Sequence, residues 1–600
     1  MREYSRPVKV ETPADARLTD TPFARATEEP AAVMLRRQES GQWRDVTCAE
    51  FLGDVMAIAR GLLAAGVGHG DRVALMSRTR YEWTVIDYAV WTVGAVTVPI
   101  YETSSEEQIA WIIGDSGALA AFVELPEHAA RVDAVRGELP HLKHVWPIEG
   151  DGLAGLRESG SGIEESAVLE RRTAVGADDL ATIIYTSGTT GRPKGCELTH
   201  RNLLFTLKNI IHAPLREVFE VEGRRTLLFL PLAHSFARVI QIGCVESHTV
   251  LGHFPSTGPE LIDTLGDYQP TFLLAVPRVF EKVYNKAEQK AVAEGRGRIF
   301  AIAAATAVAY SKAQDAGGPG LWLRLRHAVF NRLVYGRLRA ALGGRATHAI
   351  SGGSALGERL GHFFRGIGLT VIEGYGLTET SAPTAVNDAT TQRIGTVGRA
   401  FPGVSLRIAD DGEVLVKGDH VMRGYWNNPQ ATREAFDEDG WYRTGDLGEL
   451  DDDGYLRITG RKKEIIVTAG GKNVAPAVIE DRIRSHALVS QCIVVGDNRN
   501  FVAALITLDP EALEFWKQQN GKDPAATAAA LADDPDLRAA VQVAVDRANR
   551  AVSRAESVRK FTILPQDFTV EGGQLTASLK VRRHVVAKEF AAEIDAIYGG

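Results

Sequence analysis

Residues 185–195 read Tyr-Thr-Ser-Gly-Thr-Thr-Gly-Arg-Pro-Lys-Gly, a concentration of groups that bind phosphate. Thr186, Ser187, Thr189 and Thr190 offer hydroxyl donors, Gly188 and Gly191 let backbone N–H groups approach an anion, and Lys194 adds positive charge. This set predicts a loop that wraps a polyphosphate, the bland alternative being a solvated Ser/Gly linker. The apolar run before it (Leu180, Ile183, Ile184) predicts the strand that delivers it. It is not the P-loop of the common nucleoside triphosphatases, which needs Gly-Lys followed by Ser or Thr. Here Lys194 stands between Pro193 and Gly195.

A second stretch, Gly374-Tyr-Gly-Leu-Thr-Glu-Thr380, pairs an aromatic face, suited to a base, with a carboxylate, suited to a hard cation that also takes phosphate ligands. Together with the loop it resembles the adenylate-forming superfamily of acyl-CoA synthetases, luciferases and peptide-synthetase adenylation domains. The resemblance implies that Tyr375 stacks on adenine beside Gly376, Thr378 bonds a phosphate, and Glu379, with Thr186, holds Mg²⁺. Taken alone, Tyr375 reads equally well as a loop aromatic packed on the core. Two more segments follow in the family's order. Trp441-Tyr-Arg-Thr-Gly-Asp446 resembles the one whose Asp holds the ribose hydroxyls, and Thr459-Gly-Arg-Lys-Lys-Glu464 resembles the hinge between the large and small domains. Asp446 and Arg461 would then contact ribose, with Lys463 at the centre of the rotation.

The acyl side resembles long-chain fatty acyl-CoA synthetases of bacterial, actinobacterial type. The words are Pro231-Leu-Ala-His-Ser-Phe-Ala-Arg238, Val276-Pro-Arg-Val-Phe-Glu-Lys-Val283 and Ser351-Gly-Gly-Ser-Ala355. By resemblance His234 lies beside the acyl carboxylate with Arg238 nearby, and Gly353 lies against the nucleotide. The long block 284–345 matches a segment that luciferases and acetyl-CoA synthetases lack; periodicity alone reads its Trp322, Phe330, Leu333, Val334 and Leu338 as a buried helix face. Near the C-terminus, Gln574-Leu-Thr-Ala-Ser-Leu-Lys580 resembles the segment carrying the catalytic lysine. Many relatives have Gly where Leu579 stands, so Arg582 and Arg583 compete with Lys580 for the register. The turn Ala469-Gly-Gly-Lys-Asn473 would meet CoA through Gly470 and Gly471, though a plain tight turn would look the same.

The implied chemistry is ATP-dependent activation of a fatty acid to acyl-AMP and pyrophosphate, followed by transfer to CoA. Lys580, Thr186, Lys194, Glu379 and His234 are the candidate catalytic residues, with ATP, Mg²⁺ and coenzyme A as cofactor and co-substrates. The alternatives are an acyl-AMP ligase that delivers to a carrier protein and a non-catalytic binder on the same fold.

These residues need a scaffold, and the chain is long enough to build it. Six hundred residues exceed a single core. The resemblance implies a large N-terminal domain over 1–459, of layered α/β subdomains plus a small β-barrel-like part. A hinge at 460–464 and a smaller mobile α+β domain over 465–600 follow. Alternating elements agree: Phe51, Val55, Ile58 and Leu62 at helical spacing, strands at Arg72–Met76, Thr226–Leu230, Thr271–Val276 and Thr370–Ile372, and a hairpin over 403–418 turning at Asp410-Asp411-Gly412. The Ala- and Asp-rich segment 523–540 reads as a surface helix or loop. A net charge of −8 without a long basic block disfavours nucleic acid as a partner. Four scattered cysteines and no signal peptide fit a cytoplasmic protein. The apolar stretch Trp83–Ile100 is broken by Asp87 and falls short of a membrane span. Peripheral membrane contact through a surface patch is left open, and so is the oligomeric state.

Overall fold

The computed structural model describes residues 1–186, 192–256, 258, 260–576 and 579–599. Its largest sheet runs His144–Pro147, Ala120–Val123, Arg72–Met76, Val96–Ile100, Leu180–Thr186, Lys194–Thr199 and Gly424–Tyr425. The first five strands are parallel, and the last two join antiparallel. Helix Cys48–Ala64 covers one face. It starts on a capping box, where the Thr47 side chain accepts from Glu50 N–H and the Glu50 side chain accepts from Thr47 N–H, and it buries the stripe Phe51, Val55, Ile58 and Leu62. Trp83–Ile100 is a helix buried on every side, Tyr81–Thr92, running into the strand Val96–Ile100, which accounts for its apolar composition.

A second sheet sets Phe272–Ala275, His348–Ser351 and Thr370–Leu377 in parallel, with Ala382–Val386 and Arg399–Ala400 added antiparallel. The barrel-like part is an antiparallel sheet of Glu3–Ser5, Ser405–Ile408, Glu413–Lys417, Tyr442–Leu450 and Leu456–Arg461. The hairpin at 405–417 turns through Gly412 at φ +86°, a conformation that favours glycine.

Past the short turn Lys462–Glu464 the chain has its own core. Strands Val489–Val495, Val502–Leu508 and Val558–Ile563 form a sheet, and helix Pro535–Asn549 buries Leu537, Val541, Ala544 and Val545 against it. Residues 535–540 begin this helix and, with only Leu537 buried among them, lie at the surface as the composition predicts. This body rests on the larger one through Arg278, whose guanidinium donates to Asp509 at 2.8 Å and Ser490 at 3.4 Å.

Block 284–345 is helical, as its spacing predicts, but its apolar stripe is not a buried face. Helices Gly297–Asp315 and Leu321–Phe330 form a hairpin, and the second runs through a wider turn, Asn331–Tyr335, into Gly336–Ala341. Leu338 is buried and Phe330 and Val334 are partly so, yet Trp322 is 84% exposed and Leu333 is exposed. Periodicity reveals an apolar face without revealing what covers it.

Candidate active site

The C-terminal ends of Leu180–Thr186, His348–Ser351 and Thr370–Leu377 open on one cleft of about 1430 Å³, the usual place for a ligand in an α/β layer. Its polar end gathers side chains far apart in sequence. The Tyr375 hydroxyl donates to Asp446 at 2.7 Å, and Arg461 Nε donates to the other Asp446 oxygen at 2.9 Å. Strand pairing fixes the second contact, because Asp446 and Arg461 lie opposite each other in the antiparallel sheet. Burial and the Asp446 charge push the Tyr375 phenol well above its ordinary value, so it remains a donor. The Asp446 carboxylate is itself buried, held behind the cleft wall by these two lining residues.

Glu379 accepts from the Tyr425 hydroxyl at 3.0 Å, and the Lys194 ammonium lies 5.0 Å from the centre of the Tyr425 ring. Tyr425 thus couples the carboxylate to the lysine, and sequence reasoning missed it: nothing local distinguishes an aromatic after Gly424. Thr186 pairs with Lys194 across the hairpin, its hydroxyl donating to the Lys194 carbonyl at 3.4 Å. The residues between them, Ser187, Gly188, Thr189, Thr190 and Gly191, lie outside the described residues.

Two glycines are required here, one by its surroundings and one by its backbone conformation. A side chain at Gly376 would put Cβ 1.4 Å from the Ala382 carbonyl oxygen of the neighbouring strand, an impossible overlap. Gly353 sits at φ +86° on the cleft wall. Gly376→Ala must therefore displace the strand that carries Tyr375 and leads into Thr378 and Glu379. A shift of this kind near reacting groups costs roughly a hundredfold in kcat/KM, to be read in a coupled AMP-release assay alongside the thermal midpoint.

His234 caps helix Ser235–Glu246, its Nδ1 accepting from Phe236 N–H at 3.2 Å. Burial, with a smaller contribution from Lys580, lowers its pKa to about 4. The imidazole is therefore neutral at pH 7, with the proton on Nε2. Ser235 follows it, 3.4 Å from the Thr378 hydroxyl, and is a second residue that sequence reasoning missed. Arg238 is not beside the acyl site. It is 1% exposed, Nε donates to Asp87 at 3.0 Å, a second nitrogen bonds the other Asp87 oxygen, and a third donates to Thr182. Trp83 and Trp91 flank it, each with the ring centre 5.3 Å away.

From the smaller body, Lys580 and Arg582 reach the cleft wall. Lys580 is open to the cleft solvent but surrounded by protein. Desolvation, then the Arg461 charge, lowers its pKa, against opposing pulls from Asp446, Glu379 and Glu464. Arg583 is excluded from that role because it is paired with Glu464 and Glu480. Leu579 adopts φ +61°, a left-handed conformation that favours glycine, at a cost of about 1–2 kcal/mol. Lys462 and Lys463 both lie on the cleft wall, and Lys462 is held there by Asp411 and Glu413. Gly470 and Gly471 occupy an exposed turn, with Gly471 at φ +74°, and do not line the cleft.

Among the described residues no group of three His, Cys, Asp or Glu could hold a metal. Glu379 and Thr186 line the same cleft, and a carboxylate with a hydroxyl suits Mg²⁺, which keeps waters and takes phosphate oxygens as ligands. The apolar end of the cleft is lined by Leu207, Ile211, Leu215, Phe219, Val239 and Ile240. No helix among the described residues is long and apolar enough to cross a membrane.

Comparison with known proteins agrees with this geometry. Residues 22–426 match the AMP-binding enzyme family, and 463–600 match the AMP-binding enzyme C-terminal domain. The chain is 53% identical to the long-chain-fatty-acid–CoA ligase FadD15 of Mycobacterium bovis, over 100% of both chains. It is 30% identical to the long-chain-fatty-acid–CoA ligase ACSBG2 of Xenopus laevis, over 94% of this chain and 81% of that one. Among solved structures, the A domain of a carboxylic acid reductase from Segniliparus rugosus has a TM-score of 0.75 at 20% identity, covering 98% of this chain and 95% of that one. A fatty acyl CoA synthetase of Mycobacterium tuberculosis has a TM-score of 0.60 at 24% identity, covering 96% and 99%. With a two-body architecture, a nucleotide-sized polar cleft and a family match over more than half its length, the chain belongs to the AMP-binding enzymes.

Proposed function

We infer that the protein is a long-chain fatty acyl-CoA synthetase that joins a fatty acid to CoA at the expense of ATP. The observation that carries this reading is a cleft whose polar end is lined by Tyr375, Glu379, Arg461 and Lys580, with Asp446 bonded to Tyr375 and Arg461 behind its wall, and whose other end is apolar. ATP lies at the polar end, with adenine against Tyr375 and Gly376 beside Gly353, ribose on Asp446 and Arg461, and phosphates near Thr186, Lys194 and Thr378. Glu379 and Thr186 would hold Mg²⁺, which would neutralise charge on the phosphates. The acyl tail lies along Leu207, Ile211, Val239 and Ile240.

The fatty carboxylate oxygen attacks the α-phosphorus. The new O–P bond forms as the bond to the bridging oxygen breaks, and pyrophosphate leaves with the electron pair. A carboxylate is a weak nucleophile, so positioning and charge neutralisation supply the rate. Neutral His234 can donate Nε2–H to the acyl carboxylate and hold it in line, and the Lys580 ammonium stabilises charge on the transferring group. In the second step the CoA thiol, losing its proton, attacks the acyl carbonyl and AMP departs. Lys580 occupies the space this approach needs, so the body over 465–600 turns about the 460–464 hinge near Lys463, presenting Gly470 and Gly471 to the pantetheine. The four cysteines are buried and free, which suits a reducing cytoplasm.

The deciding experiment incubates the protein with ATP, Mg²⁺ and palmitate, with and without CoA, and follows AMP and acyl species separately. Multiple turnovers to palmitoyl-CoA support the reading. Accumulation of palmitoyl-AMP, indifferent to CoA, would make it an acyl-AMP ligase. A second test concerns the tail: Val239→Phe shortens the apolar arm, and kcat/KM for palmitate should fall roughly tenfold relative to octanoate.

A further inference from the structure

The helical hairpin at 297–341 presents a face that neither the cleft nor the core uses. Helix Leu321–Phe330 buries none of its residues. Leu321 is 71% exposed, and Trp322, Leu325, Val329 and Leu333 are exposed with it. At about 100° per residue these five fall within roughly a third of the helix circumference, opposite the partly covered Leu323, His327 and Phe330. The hairpin continues the patch onto its first helix. The Tyr335 hydroxyl bonds the Ala303 carbonyl at 2.7 Å, which ties the second helix to the first, where Ile299 and Ile302 are also exposed.

Charge shows what this face fits. Between Asp315 and Glu358 the chain carries six arginines and no acidic residue, within a protein of net charge −8. Arg324 and Arg326 flank the apolar stripe on either side and Arg332 lies within its arc; all three, and Arg337, are exposed. Arg324 Nε caps the Pro319 carbonyl, which leaves the rest of its guanidinium for other acceptors. A second copy of the chain docked on the same face would oppose arginine to arginine with no carboxylate between them. An anionic bilayer satisfies both halves: Leu, Val and Trp enter the interface while the arginines meet the headgroup phosphates.

We propose that the hairpin 297–341 seats the enzyme on an anionic lipid surface through Leu321, Trp322, Leu325 and Leu333, with Arg324, Arg326 and Arg332 on the headgroups. A fatty acid dissolved in that surface would then be presented to the protein where it resides. The docking rests on exposure and charge, not on turnover, so vesicle binding and ligase activity fail separately.

The test is co-sedimentation of the full chain with vesicles of phosphatidylcholine, with and without phosphatidylglycerol. Binding is expected only with phosphatidylglycerol, and it should weaken as salt rises. The double variant Arg324→Glu/Arg326→Glu should lower the partition coefficient more than about twentyfold, and Trp322→Ala/Leu325→Ala should lower it at least as much. Both should keep wild-type activity on octanoate in free solution, which shows that they fold, and Val543→Ala, an exposed residue of the smaller body, should bind as wild type. Fluorescence lost on Trp322→Phe should be the fraction quenched by spin-labelled lipid. Equal binding to neutral vesicles, binding indifferent to these variants, no vesicle binding, or a dimer in sedimentation velocity that Trp322→Ala abolishes would each overturn the proposal.

Discussion

Replacing Lys580 by Ala should slow adenylation of palmitate by about 10²–10³ while leaving the conversion of preformed palmitoyl-AMP and CoA within about threefold of wild type. The first figure is what losing one preorganised charge at a developing phosphoryl charge costs. The second follows because the lysine must withdraw before thiolysis. Pyrophosphate exchange reads the first step, and palmitoyl-CoA formation from synthetic acyl-AMP reads the second. Equal losses in both would mean that the lysine holds the cleft together instead of acting on the phosphoryl group. The pH dependence has a definite sign. Desolvation and Arg461 depress the Lys580 pKa, so the ammonium form is lost below the ordinary lysine value of 10.5. Adenylation should therefore have an alkaline limb below that pH, absent in thiolysis and moved upward in Lys580→Arg. His234, with a pKa of about 4, is neutral throughout and contributes no limb between pH 6 and 9.

The second large effect is on stability. Asp87→Ala should destabilise the large body by roughly 3–5 kcal/mol, because it leaves the Arg238 guanidinium buried and unpaired between two tryptophans. The double variant Asp87→Leu/Arg238→Met should recover most of that loss, since exchanging a buried ion pair for apolar groups is often close to neutral. Thermal midpoints of the two single variants and the double variant check this, and additive losses would sink the argument. A functional consequence accompanies it. Arg238 ties helix Ser235–Glu246, which carries His234 and Ser235 at its start, to helix Tyr81–Thr92 and, through Thr182, to the strand that ends at Thr186. The double variant should keep the fold but show a raised KM for fatty acid, because the first turn beside the cleft loses its tether.

Neither member of this pair is legible in the sequence. Locally Asp87 is only a charge interrupting an apolar run, and resemblance sets Arg238 near the acyl carboxylate. The chain separates them by 151 positions, and folding brings them together as a buried ion pair. Tyr425 is a similar case. Its bond to Glu379 depends on a two-residue strand pairing beside Lys194–Thr199, a contact no local pattern encodes. By contrast, the separation of Lys580 from Arg583 needed only one further fact: which of the two already had carboxylate partners.

By itself the sequence determined the segments that bear chemistry, their order, and the alternation of helix and strand beneath them. Each depends on residues within a few positions of one another: hydroxyls and glycines around Lys194, Tyr375 four residues before Glu379, and apolar side chains at helical spacing from Phe51 to Leu62. Tertiary structure decided which of these groups face a cleft, which are spent on internal pairs, and which apolar stripes meet solvent. Periodicity places Trp322 and Val55 on apolar faces alike. Only packing distinguishes them, because burial is a property of what lies opposite a side chain, and that neighbour comes from a distant part of the chain.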